Sequence, residues 1–346
     1  MLEIRANPTD QESHCECCRG EFPARSQVCL TALLLPVLHI LLLGPGFAQA
    51  TKPNVIDQSA ALIHSGKPEQ AESLLRTASN SQPDSAALHG ALGDLLLNEH
   101  KYEDAVMELG QAAQLEPGSR RYNLLAAEAL IGWQRYPTAI EFLEAIEPRF
   151  GKDAHFHYVF GLAYYYEHNW NAAVSQLQEA VRISPKYDRA RFLLANCLLV
   201  NGGTEKALAI LRELAKEHPG KAFYWASLGQ NLGFANSGGS ALEAEQAVRR
   251  ALALAPTDPY VQFAAATILT NNGKYSEARP LLETLEKSAP DTLEIHAMLV
   301  RVYARLGERD LSAKEEEKVD QLQKKEAAAH ASASHSENAT TSPEQP

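Results

Sequence analysis

Residues 154–187 read AHFHYVFGLAYYYEHNWNAAVSQLQEAVRISPKY, and residues 188–221 read DRARFLLANCLLVNGGTEKALAILRELAKEHPGK. Laid one under the other, the strings align Ala173 with Ala207, Leu177 with Leu211 and Pro185 with Pro219, each pair 34 residues apart. Carried outward, the alanine column is Ala71, Ala105, Ala139, Ala173, Ala207, Ala244 and Ala278, with one interval of 37 among intervals of 34. Four residues past each stands Leu75, Leu109, Leu143, Leu177, Leu211, Val248 or Leu282. Twelve past stand Pro83, Pro117, Pro185, Pro219, Pro256 and Pro290. Self-similarity at a fixed period of this length is the signature of a repeat array.

Counting each unit from the register in which the first begins at Lys52, position 8 reads Ser59, Gly93, Ala127, Gly161, Ala195, Gly229, Ala266 and Val300. Position 11 reads Leu62, Leu96, Leu130, Tyr164, Leu198, Leu232, Leu269 and Tyr303. Positions 4, 7, 8 and 11 share one helical face, so the first half of each unit is a helix with a packing stripe. Gly66, Gly202, Gly273 and Gly307 stand at position 15, where a helix that ends in a left-handed residue favours glycine. The proline column stops a second helix. Small residues at positions 8, 20 and often 27 admit close helix approach, and large ones at 7, 11 and 24 fill the remaining space.

The residues Tyr224-Trp225-Ala226-Ser227-Leu228-Gly229 and Gly161-Leu162-Ala163-Tyr164, with the alanine and proline columns, resemble the tetratricopeptide repeat family. The resemblance covers residues 52–326, in units starting at 52, 86, 120, 154, 188, 222, 259 and 293. It implies an all-α fold, a right-handed α-solenoid of about eight helix-turn-helix units. Unit 3 departs from the pattern, with Ile146 at position 27 and Pro148 three residues early, so its second helix is expected to be short. Unit 8 carries Lys314-Glu315-Glu316-Glu317-Lys318, a polar helix suited to a solvent-facing cap. The three extra residues of unit 6 fall at Asn236-Ser237-Gly238-Gly239, where a flexible loop is expected. Residues 327–346, rich in Ala, Ser and Thr, are expected to form a disordered tail.

Ahead of the array, Val28 to Leu43 is free of charge and is followed by Gly44-Pro45-Gly46 and Ala48-Gln49-Ala50. That is the layout of a secretory signal with cleavage after Ala50, making residues 1–50 a leader. The alternative is an uncleaved membrane anchor, which Pro36 and His39 disfavour. Four of the five cysteines lie in this leader; the cluster at His14, Cys15, Cys17 and Cys18 has no second ligand pair to close a zinc site. Export of an array whose one thiol is Cys197 suits a bacterial periplasm or cell envelope. The chain carries 32 basic and 43 acidic residues, a net charge of −11, which argues against nucleic acid and against an anionic membrane surface as partners. Membrane contact is then expected only through an uncleaved leader.

The array lacks the phosphate-loop, zincin, nucleophile-elbow, dinucleotide and paired Cys-x-x-Cys patterns, so no catalytic residue, cofactor or metal is assigned and the chain is not expected to be an enzyme. His155 and His157 point to nearly opposite sides of one helix and cannot share a metal, and His157 falls in a packing column. Cys197 reads as a small buried filler.

Stacked hairpins curve, and in the resembled family the far side of the first helices lines the concave groove. Positions 2, 5, 9, 12 and 13 occupy that side. In units 4 to 7 they are aromatic and amide-bearing: Tyr158, Tyr165, Phe192, Asn196, Phe223, Gln230, Tyr260 and Phe263. An extended peptide or helix of a protein partner is expected there, with Asn196 and Gln230 clasping its backbone. The competing reading is that tight curvature buries these rings and leaves no open site. A carboxylate clamp with Lys and Asn at positions 5 and 9 is not supported, because position 5 is apolar. The function expected is a non-catalytic scaffold or adaptor of the cell envelope; the alternative is a regulatory or substrate-recruiting subunit of a separate envelope enzyme or polymer-assembly complex.

Overall fold

A computed structural model describes residues 54–234 and 240–340, with side chains to residue 328. The described residues form sixteen α-helices and no strand. They pair as hairpins: α1 (Val55–His64) with α2 (Pro68–Ser81), α3 (Ala86–Asn98) with α4 (Tyr102–Leu115), α5 (Arg120–Gly132) with α6 (Tyr136–Phe150), and α7 (Ala154–Tyr166) with α8 (Trp170–Ile183). Then follow α9 (Asp188–Val200) with α10 (Thr204–Glu217), α11 (Ala222–Phe234) with α12 (Ser240–Leu254), α13 (Pro259–Asn271) with α14 (Tyr275–Ser288), and α15 (Leu293–Leu306) with α16 (Arg309–Thr340). The fold is the all-α, helix-turn-helix solenoid that the period implies.

Local chemistry starts and stops the helices. Ser85, Ser119, Asp153 and Asp258 cap first helices, their side-chain oxygens accepting from the backbone N–H three residues on. Each described turn has a left-handed residue at position 15: Gly66, Gly202, Gly273 and Gly307 have φ of 73°, 77°, 75° and 83°. His100, Gln134 and His168 adopt φ of 59°, 60° and 60° at the same position without glycine's freedom. The next N–H then reaches back to the position-11 carbonyl, as from Lys101 to Leu96 and from Arg135 to Leu130, both at 2.9 Å. This bond closes the turn in the manner of a Schellman motif.

Leu109, Leu143, Leu177 and Leu211 are fully buried, packed between the helices of each hairpin. Opposite them position 8 must be small. A Cβ on Gly229 would stand 2.6 Å from Val248 Cγ1 and 2.9 Å from the Ala244 carbonyl oxygen, so backbone meets side chain directly there. The first helices also touch the first helices of the next hairpin, α3 on α5, α5 on α7, α7 on α9, α11 on α13 and α13 on α15. Among the described residues no second helix makes a comparable contact with the next second helix. First helices therefore lie on the inner side of the stack.

The second helix of unit 3 is not short: α6 runs fifteen residues and continues through Pro148. The proline falls in its last turn, so its ring displaces a single late hydrogen bond, while buried Phe150 and a 2.7 Å bond from the Gly151 N–H to the Glu147 carbonyl secure the end. Residues 327–340, expected as a disordered tail, continue α16; the run of alanines there has the highest intrinsic helix preference of any residue type. The leader with its cleavage after Ala50 and the Asn236–Gly239 loop lie outside the described residues. No helix among the described residues is long and apolar enough to cross a membrane.

Candidate functional site

The inner face of units 4 to 7 is built on α7, α9, α11 and α13. Tyr158 and Tyr165 stand on α7, Phe192 and Asn196 on α9, Phe223 and Gln230 on α11, and Tyr260 and Phe263 on α13; all eight are neither fully buried nor fully exposed. The rings form a ladder across the hairpins. Phe192 and Phe223 lie with centroids 4.9 Å apart, and Phe223 and Tyr260 at 5.3 Å. Tyr158 packs at 5.3 Å against Tyr187, the last residue of unit 4. Tyr165 meets Trp170 edge-on, and Phe263 packs on the core of units 7 and 8. Curvature thus leaves each ring half-buried.

Polar groups are threaded between them. The Tyr187 hydroxyl lies 2.7 Å from His155 Nδ1, while His155 Nε2 faces the Glu128 carboxylate at 3.1 Å. Burial pushes the Tyr158 phenol up to about 12 and raises Tyr187, Tyr165 and Tyr260, so these hydroxyls stay neutral. Tyr260 donates to Gln230 Oε1 at 3.3 Å and accepts from Ser227, which leaves the Gln230 amide nitrogen without a partner among the described residues. The Asn196 amide nitrogen is enclosed and also without one. Arg189, exposed beside the Tyr158–Tyr187 pair, makes no hydrogen bond or ion pair among the described residues.

The apolar side chains that do stand open are one column over, at position 13. Tyr166 is 38% exposed, Val200 54% and Phe234 69%, on three consecutive first helices. Val200 is the residue that reading for aromatic rings overlooks. Its signal was the recurrence of a large apolar side chain in that column from unit 4 to unit 6.

Position 4 is a bonding column as well as a packing column. The side-chain nitrogens of His89, Asn123, His157, Trp225, Gln262 and His296 each donate to the carbonyl six residues earlier, at 2.8 to 3.4 Å. In five of these the acceptor is the unit-closing proline; for His157 it is Gly151. The signal was present in the sequence: every one of those residues carries a nitrogen donor.

Two groups of ligand-type side chains are already bonded internally. Buried Arg191 holds Asp188, Glu213 and Glu217 at 3.3, 3.1 and 2.6 Å, and His218 pairs with Asp188. His296 sits 2.6 Å from Glu315, near Glu286. His157 is bonded to Gln176 and Gly151, and burial raises the Cys197 thiol to about 12, which suppresses thiolate chemistry.

The resulting object is a helical-repeat scaffold with a ring-lined inner face. Models of the tetratricopeptide repeat match residues 57–119, 96–159, 164–232 and 237–306, and the chain belongs to the tetratricopeptide repeat family, whose units are protein-interaction modules. A tetratricopeptide repeat protein from Parabacteroides merdae ATCC 43184 is similar in fold, with TM-score 0.57 and 16% identity over 72% of this chain and 97% of that one. Also similar are YrrB, described as having an unusual peptide-binding site (TM-score 0.43, 18% identity, 55% and 96% of the two chains), and MamA from Desulfovibrio magneticus RS-1 (0.43, 20%, 47% and 92%). No curated protein matches the sequence.

Proposed function

We propose that the chain is a non-catalytic adaptor that holds an extended peptide or helix of a protein partner against the inner face of units 4 to 7. The observation that carries this reading is the open column Tyr166, Val200 and Phe234 beside the half-buried ring ladder. Large apolar side chains held open to water on neighbouring first helices are unfavourable until something covers them, and aromatic rings beside a free amide are the composition of binding hot spots.

The test is capture of partners from envelope extract by the full chain and by a Val200→Asp, Phe234→Asp variant. Both side chains are exposed, so helix content should be unchanged while captured bands disappear. Bands that survive this variant but vanish with Met107→Asp, on the second helix of unit 2, refute the reading. Replacing Phe192 or Phe263 is less discriminating, because each packs on a core cluster. The adaptor is further proposed to work in the bacterial cell envelope after export. Amino-terminal sequencing that returns Thr51 supports export, and an intact leader on protein recovered from the cytoplasm refutes it.

A further inference from the structure

The inner face of units 4 to 7 differs in charge from that of units 2, 3 and 8. Positions 2, 5, 9, 12 and 13 of these four units contain no aspartate or glutamate, in a chain with 43 of them. Their one permanent charge is Arg189. The flanking units are different: unit 2 presents Asp94, unit 3 Arg121 and Glu128, and unit 8 Glu294, Arg301 and Arg305. Of these, Arg121 is bonded to Asp94 at 2.6 Å and Glu128 faces His155, so charges on the unit 3 side are already compensated. Arg189 is exposed and has no such partner among the described residues. Asn196 stands seven residues on along α9, two helical turns and about 10 Å away on the same side of the helix. The amide nitrogen of Gln230, on the next first helix, is a donor without an acceptor among the described residues and, unlike that of Asn196, is not enclosed.

A partner covering this face removes these groups from water. A lysine or arginine brought here would lose hydration with no carboxylate to meet it, whereas an acidic side chain would find Arg189. A peptide carbonyl would accept from the Gln230 amide, which has no acceptor among the described residues. We infer that the occupant is an extended, largely apolar peptide segment with one acidic side chain and no lysine or arginine, its carboxylate seated on Arg189 and a backbone carbonyl accepting from Gln230. The inference rests on the adaptor reading and adds the chemistry of the partner.

The probe is a phage-displayed random peptide library panned on the immobilised full chain, followed by fluorescence-polarisation titration of the enriched peptides. Enrichment of apolar residues with one Asp or Glu, and depletion of Lys and Arg, is expected. Arg189→Glu should weaken those peptides by about tenfold or more, the scale of one charge-assisted hydrogen bond. Changing the peptide's acid to lysine should restore binding to that variant. Enriched peptides that are basic, or that bind Arg189→Glu as well as they bind the parent chain, overturn the partner chemistry alone. No enrichment, or enriched peptides that bind the Val200→Asp, Phe234→Asp variant undiminished, overturns the adaptor site as well. Circular dichroism of Arg189→Glu controls for folding.

Discussion

Replacing Gln262 isolates the bonding role of position 4. Gln262 is 8% exposed, and its Nε2 donates to the Pro256 carbonyl at 2.8 Å, tying the start of α13 to the turn that follows α12. Gln262→Met keeps the length and approximate volume, so packing is preserved and one buried hydrogen bond is removed. The cost is about 1 kcal/mol if water reaches the carbonyl and up to about 3 kcal/mol if it does not. Gln262→Glu places a carboxylate against a carbonyl acceptor in a buried site. That acid's folded-state pKa must lie above its unfolded value of about 4.3, so the variant loses stability as the pH rises through and beyond 4.3 toward that folded value. Gln262→His should be close to neutral, because His89, His157 and His296 already make this bond in other units. A stack of repeats need not unfold in one step, so the assay is native-state hydrogen exchange of amides in α12 and α13, with urea denaturation as a check. Equal protection in Gln262→Met and the parent chain, or Gln262→His as the worst of the three, would refute the reasoning.

Two other perturbations follow from the geometry. Gln134 holds φ of 60° without the freedom of glycine, so Gln134→Gly should stabilise by about 0.5–1 kcal/mol, while Gly202→Ala at φ 77° should cost about 1 kcal/mol; thermal melts of both variants check the pair. Glu245 bonds Lys274 and Arg249, which hold its carboxyl at about 2, so its contribution is full above the ordinary carboxylate range and is lost as the pH falls toward 2. Glu245→Gln should flatten the acid limb of the melting-temperature profile by the equivalent of about 1 kcal/mol or less, an effect reduced further by high salt.

The hairpin architecture was legible in the sequence because the fold repeats its solution. A small residue at position 8 must face a large one at position 24 in every hairpin, and the 34-residue recurrence makes that visible where one pair such as Gly161 and Leu177 would not. Glycine marked four of the left-handed turns. His100, Gln134 and His168 were silent because the turn's backbone bond imposes the conformation whatever the side chain. Pro148 misled for a related reason: proline is costly inside a helix, but in the last turn of α6 little remains to be broken. The inner face was legible only as a surface. How far each ring is covered depends on curvature between hairpins, which residue spacing does not encode, and so the open column at Tyr166, Val200 and Phe234 emerges only when α7, α9 and α11 stand side by side.

Site-specific photocrosslinking tests most directly whether partners lie on the inner side of units 4 to 7. With benzoylphenylalanine at Val200 or Phe234 of the full chain, irradiation in envelope extract should give a covalent partner adduct, and the same group at outward-facing Met107 should give none. Adducts at Met107 with none at Val200 and Phe234 would contradict that placement.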